Sequence, residues 1–325
     1  MSETLIEFGI GETRAVVLDA DGGIVEAHIE RDGGWRAGDV REVRLATILV
    51  PGVRGIVGVG GVEAVLEPLP RALTEGVTLR VEVVREALAE AGRVRLAKVV
   101  ATTAAVGSGP SLAERLRGRG LVVREAARHG LDLFEAAGWS EVVETALSGH
   151  VPFPGGSLTI SPTPAMTVTD VDGASPPVEL ALAAADAAGA AIRRFDITGS
   201  IGIDFPTVAD KSTRTAIGAR LDVALPPPFE RTAVNGFGFA QIVRPRLRAS
   251  LIEVLRADPA ATAALRLLRQ AERGAPGRCT LVAGPAVIAW LDARPDIVAE
   301  LARRVGGTVA LRVDASATTS GHVAL

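Results

Sequence analysis

The sequence predicts an α/β multidomain protein that includes a small closed β-barrel. Three observations predict this. Between Trp35 and Lys98 five strand-like stretches follow one another at short spacing, which suits a barrel of the OB type. Beyond Gly155 strands and helices alternate, the order of an α/β layer domain. The chain has 325 residues, 48% of them apolar, with a mean hydropathy of +0.30, enough for two or three domains and a sizeable core.

The first element is a hairpin over residues 4–31, where "TRAVVLDADGGIVEAHIER" places two alternating runs around the turn "DADGG". The five barrel candidates are "DVREVRLATIL", "VRGIVGVG", "VEAVLEP", "VTLRVEVVRE" and "RVRLAKVV", punctuated by Gly and Pro. "ATTAAVGSGPS" reads as a linker. Residues 111–150 mix helix and strand, with "DLFEAAGWSEVVETALSG" an amphipathic helix closed by Gly149. "GGSLTISPTPAMTVTDVDG" then reads as two short strands around a Pro-bearing turn, the second ending at Asp170 with Asp172 two positions on. An Ala-rich helix, "PVELALAAADAAGAAIRRF", follows, then a buried strand, "ITGSIGIDF", ending near Asp204. "STRTAIGARLDVAL" is a helix and "FERTAVNGFGFAQIVRP" a strand followed by a turn. The tail repeats the theme with "CTLVAGPAVIAWL", a helix at 296–305 and "TVALRVD".

Composition narrows the function classes. Net charge is −3, so nucleic acid would have to be met by local patches rather than by a basic surface. Two arginine clusters qualify by spacing: Arg115, Arg117, Arg119, Arg124 and Arg128, and Arg231, Arg244, Arg246 and Arg248; each equally suits a solvated face. Cys279 is the single cysteine, which excludes an internal disulfide and a multi-cysteine zinc site and fits a reducing cytosol. The first residues lack the pattern of a signal peptide, and no uncharged apolar run reaches membrane-spanning length. A soluble cytoplasmic protein with no membrane partner is expected.

The chemistry lies in carboxylates at strand ends. In an α/β sheet ligands bind at the carboxyl ends of strands. If the strands carrying Asp170 and Asp204 are neighbours joined through the intervening helix, their carboxylates converge into a hard-oxygen site suited to Mg²⁺ and a phosphate. The alternative stays open: "DVDG" is also good turn chemistry. The four histidines are scattered without ligand spacing, Cys279 suits a small core residue, and neither a G-x-S-x-G elbow nor a phosphate-binding P-loop occurs.

These residues resemble the ribonuclease E/G family of bacterial endoribonucleases. "FEAAGWSEVVETALSGHVPFPGGSLTISPTPAMTVTDVDG" resembles the segment leading into that family's catalytic domain, "ITGSIGIDF" its second metal-carboxylate strand, and "NGFGFAQIVRPRLRASL" the segment that follows. The opening strands and the barrel are similar to the family's N-terminal strands and S1-type RNA-binding barrel. The resemblance implies an RNase H-like subdomain split over 1–34 and 111–150, an S1-type OB barrel at 35–100, a DNase I-like catalytic domain at 151–255 and a small C-terminal α/β domain at 256–325.

It further implies a Mg²⁺-dependent endoribonuclease, with Mn²⁺ as an alternative ion, cutting single-stranded RNA to leave 5′-phosphate ends. Asp170 and Asp204 fall on the two magnesium carboxylates, and Asp172 on the position, usually Asn, that orients the site. Arg244, Arg246 and Arg248 are candidates for the RNA backbone, and Lys211 a further one. The family's paired zinc-link cysteines are missing, so no structural zinc is expected, and a homodimer through the catalytic domain would have to form without it. Most of the 5′-monophosphate sensor domain is absent, Gly236 stands where a sensing Arg is expected, and Ile56 and Leu66 replace base-stacking aromatics. Trp35 either compensates or plugs the barrel. A non-catalytic RNA-binding protein on the same scaffold is the alternative, and a pure interaction protein a third reading.

Overall fold

The computed structural model describes residues 3–90, 93–317 and 321–324. The chain divides into two compact units, one made of Met1–Asp32, Gly120–Leu147 and Val254–Leu325, the other of Gly33–Arg119 and Ser148–Glu253. Each is built from segments far apart in sequence.

The chain begins in the first unit with β1 (Thr4–Phe8), β2 (Glu12–Leu18) and β3 (Ile24–Arg31), an antiparallel meander rather than a lone hairpin. It then enters the second unit and forms the barrel: β4 (Val40–Val50), β5 (Arg54–Val59), β6 (Val62–Leu66), β7 (Thr78–Arg85) and β10 (Ala97–Ala101) close in the order β10-β6-β5-β4-β7. The closed five-stranded barrel agrees with the expected OB architecture. The stretch "RVRLAKVV" does not form one strand. Its first part is β9 (Arg93–Arg95), which pairs with β8 (Leu88–Glu90) in a separate small hairpin, and only β10 joins the barrel. Trp35 is 8% exposed in the barrel core, with the Arg41 guanidinium 5.4 Å from its ring, so it is a plug and not a stacking surface.

The helix α1 (Leu112–Gly118) opens with a capping box in which Ser111 and Glu114 satisfy each other's backbone. Back in the first unit, β11 (Val123–Glu125) adds to β1 in parallel and gives the sheet order β11-β1-β2-β3. The helix expected over 132–149 is two helices, α2 (Leu133–Ala136) and α3 (Trp139–Ser148). They are separated at Ala137–Gly138, and Phe134 meets Trp139 edge-on across the break.

The second unit resumes with β12 (His150–Phe153), which adds to the predicted hairpin of β13 (Gly156–Pro162) and β14 (Thr167–Gly173). It continues through α4 (Pro177–Arg194) to β15 (Gly199–Asp204), α5 (Lys211–Ala224), β16 (Glu230–Arg231) and β17 (Phe239–Arg244). The "FERTAVNGFGFAQIVRP" segment thus has its turn before the main strand, not after it. The sheet runs β12-β13-β14-β15-β17-β16, with β14 and β15 its parallel neighbours. The helix α4 covers β12 to β14, burying Leu180, Ala181, Ala184, Ala188 and Ile192, and packs against α5.

The helix α6 (Leu251–Ala257) leads back to the first unit. There α7 (Pro259–Arg273), β18 (Cys279–Ala283), α8 (Pro285–Asp292), α9 (Pro295–Val305), β19 (Val309–Val313) and β20 (Gly321–Ala324) enclose a core that includes Cys279, whose thiol burial pushes up. No sequence signal announced the buried charge in this unit. Arg14, 2% exposed, donates to Glu7 and Glu12 at 2.7 Å each, and Arg269 donates to Glu7 and Asp132 at 2.8 Å each.

Candidate active site

The site is set by the passage from β14 to β15. Alternation in "TVTDVDG" buries Thr167, Thr169 and Val171 and turns Asp170 and Asp172 to the exposed face. In β15 the same pleat buries Ile201 and Ile203 and exposes Asp204. Because α4 returns the chain in the same direction, β14 and β15 pair in parallel, with Asp170 opposite Asp204. Residues facing each other across adjacent strands share one face about 4.8 Å apart, so the two carboxylates stand side by side. Asp172 lies on the same face one pleat repeat on, about 6.6 Å along the strand. The strand runs on to Gly173, so neither Asp170 nor Asp172 is a turn residue, and the capping alternative for "DVDG" is set aside.

Among the described residues no cation pairs with Asp170, Asp172 or Asp204. No cluster of three or more His, Cys, Asp or Glu capable of holding a metal occurs among them either. Two exposed carboxylates without a third ligand suit a magnesium ion, which commonly takes one or two carboxylates and fills its shell with water and substrate phosphate. The same face carries Thr159 opposite Asp170 and Ser157 opposite Asp172.

On the other flank, Phe239 is in antiparallel register with Asp204. Its ring lies against Gly202, where a Cβ would come within 2.7 Å of the ring's Cζ and 3.1 Å of the Met166 sulfur. Gly202 is therefore what lets an aromatic side chain rest beside the carboxylates. Alternating apolar residues in "GFGFAQIV" could have suggested this, but only the register reveals which strand Phe239 faces.

The basic candidates are placed differently. Lys211 is exposed at the first turn of α5, next to the cap residue Asp210. Hydrogen bonds from the Ser212 hydroxyl and from the Thr213 amide and hydroxyl hold Asp210 down at about 2. Arg244 donates to the Ile197 carbonyl at 2.7 Å and Arg246 to Glu253 at 2.5 Å, while Arg248 lies 3.9 Å from both Glu86 and Asp196. These three guanidiniums brace the chain around β17. Arg231 forms a two-pronged pair with Asp222 at 2.7 and 2.6 Å, which lowers the carboxylate and raises the guanidinium. Of the other arginine cluster, Arg115, Arg117 and Arg119 belong to the second unit and Arg124 and Arg128 to the first.

The family model described as Ribonuclease E/G family matches residues 111–247. Over those residues the chain is similar to that family. Among curated proteins none matches the chain. The ribonuclease E/G match covers less than half of the chain. It takes in both carboxylate strands, Lys211, Arg244 and Arg246, and stops just short of Arg248; the opening strands and the barrel lie outside it.

In the barrel, Leu66 is fully buried, so this position presents no side chain to a ligand. Ile56 pairs with Val65, and Val65 with Lys98, so the outward-facing neighbours are Ile56, Val65 and Lys98. Gly236, which the ribonuclease E/G resemblance sets at a sensing arginine, lies in the turn before Phe239. No helix among the described residues is long and apolar enough to cross a membrane.

Proposed function

We propose that the protein is a divalent-metal-dependent endoribonuclease that cuts single-stranded RNA and leaves 5′-phosphate ends. The observation that carries this reading is the parallel register of Asp170 with Asp204, inside the ribonuclease E/G segment. In this reading Asp170 and Asp204 hold Mg²⁺, with Mn²⁺ as the alternative ion. When bound, the ion supplies positive charge to the phosphodiester and orients the attacking water. Asp170 and Asp204 fix its place through the sheet register, which α4 and the buried Ile201 and Ile203 make rigid. Asp172 accepts a hydrogen bond from a water at the edge of the site, and its extra negative charge relative to Asn repels the anionic RNA, so that substrate binding depends more strongly on the bound ion.

Lys211 offers an exposed ammonium to the RNA backbone. Arg244, Arg246 and Arg248 serve chiefly to hold β17 and its loops in place, with phosphate contact a secondary role. The same reading assigns the β1–β3 and β11 sheet to an RNase H-like subdomain, the barrel to the S1 type and the six-stranded sheet to a DNase I-like catalytic domain. It takes the protein as cytoplasmic, with a zinc-free homodimer through the catalytic domain as one assembly.

The test is cleavage of a labelled AU-rich single-stranded RNA with Mg²⁺ or with EDTA, using wild type and Asp204→Asn. Cutting that requires both magnesium and Asp204 is the expected result. RNA that stays intact under every condition, yet is bound equally by both proteins, would replace catalysis with an RNA-binding role.

A further inference from the structure

Phe237 is 83% exposed, while the next most exposed aromatic among the described residues, Phe8, is at 38%. A single exposed apolar residue is ordinary on a protein surface. This one is different because its backbone is fixed on every side. The Asn235 side-chain oxygen accepts from the amides of both Phe237 and Phe239, at 2.9 and 3.0 Å. The Gly238 amide donates to the Asn235 carbonyl at 3.2 Å, and the Thr207 hydroxyl donates to the Phe237 carbonyl at 3.3 Å. Gly238 has φ +93°, and a Cβ there would lie 2.1 Å from the Phe205 carbonyl oxygen, so this tight approach requires glycine.

The turn so held is the one that delivers Phe239 opposite Asp204. It therefore puts the exposed Phe237 at the same end of the sheet as Asp204, two residues before Phe239, whose ring lies near Met166 over Gly202. An exposed aromatic ring on a braced turn, at the sheet end that carries an anionic, metal-ready pair, suits a ligand that is apolar and planar in one part and phosphate-bearing in the next. A nucleotide in a single strand has that composition, and stacking on an aromatic tolerates any base.

We propose that Phe237 is a stacking platform for a nucleobase of the single strand whose phosphate lies at Asp170 and Asp204. The proposal rests on the nuclease reading above and adds to it the residue that grips the neighbouring base. It also supplies what the barrel lacks, since Trp35 is buried and the outward positions there are Ile56 and Val65.

The test measures binding of a fluorescent single-stranded RNA in EDTA by anisotropy, for wild type, Phe237→Ala and Phe237→Trp, with circular dichroism to check folding. Phe237→Ala is expected to bind about fivefold to hundredfold more weakly, the range that loss of one stacked base gives. Phe237→Trp is expected to keep wild-type affinity and to show quenched indole emission on adding RNA. Undiminished binding by Phe237→Ala, or an unquenched Phe237→Trp, overturns the platform while leaving the nuclease reading intact. A wild type that neither binds nor cuts RNA overturns both.

Discussion

Replacing Asp204 by Asn should stabilise the protein without metal and remove its response to magnesium. Asp170 and Asp204 are register partners on an exposed face, with no cation paired to either among the described residues. Two unit charges about 5 Å apart repel by about 0.8 kcal/mol in bulk water, and by ~1–2 kcal/mol where half the surroundings are protein. Salt at physiological strength screens this little, because the separation is below the Debye length of about 8 Å. Asn keeps the shape and removes the charge, so the second unit should melt higher by roughly 2–4 °C per kcal/mol relieved. Magnesium at ten times its dissociation constant should add about 1.4 kcal/mol to wild type, since an ion that binds only the folded state stabilises it by mass action. Asp204→Asn should gain almost nothing. The assay is differential scanning calorimetry of both proteins in EDTA and in a magnesium series. An Asp204→Asn protein that melts lower in EDTA, or that rises with magnesium as wild type does, would refute the reasoning.

Other parts of the molecule make independent predictions. Arg269→Met should destabilise the first unit by about 3 kcal/mol, the lower end for breaking a buried ion pair, because Arg14 and Arg273 still neutralise Glu7; urea denaturation measures it. In the barrel, burial works to raise Asp39, but hydrogen bonds from the Gly109 amide, Arg41 and the Arg36 amide outweigh it and lower its pKa below 3.8. A lowered folded-state pKa means that Asp39 contributes stability in full above pH 3.8 and loses it as the pH falls through the lower folded value. Asp39→Asn should therefore flatten the acid side of the barrel's stability profile below pH 3.8, a change that urea midpoints at several pH values would detect. Gly238→Ala should cost about 1–3 kcal/mol and weaken RNA binding together, through strain at its positive φ and the clash with Phe205; a thermal melt beside the anisotropy assay checks both.

What could be read from the sequence was what depends on local pattern. Alternation in "MTVTDVD" and the acid ending of "SIGID", with a long alanine-rich helix between them, offered converging strand-end carboxylates as one reading, with turn chemistry as the other. The pleat and the crossover produce that arrangement whatever the rest of the chain does. Register was out of reach. A slip of one residue reverses a side chain's face, which is why Leu66 read as a surface position and is buried, while Val65 stands next to Ile56. The break between α2 and α3 was signalled only by Gly138 inside an otherwise continuous helical pattern. The helix α7 was not anticipated, although Asp258 as cap with Pro259 in the first turn is a local start signal. The buried cluster of Glu7, Arg14, Asp132 and Arg269 left no local trace, because its members come from three segments that meet only in the folded unit.

The two kinds of charge in this protein argue for different roles. In the first unit each of the buried charges Glu7, Glu12, Arg14 and Arg269 has an opposite partner within 2.8 Å. That is what desolvation demands, since an unpaired charge in the interior costs several kcal/mol. On the face of the second unit two like charges are held side by side by the strand register, and among the described residues no cation pairs with either. Stability alone would favour almost any neutral residue at either position. The arrangement becomes favourable only when something positive sits between the carboxylates. That makes the pair, rather than the barrel or the arginines, the feature on which the functional reading stands.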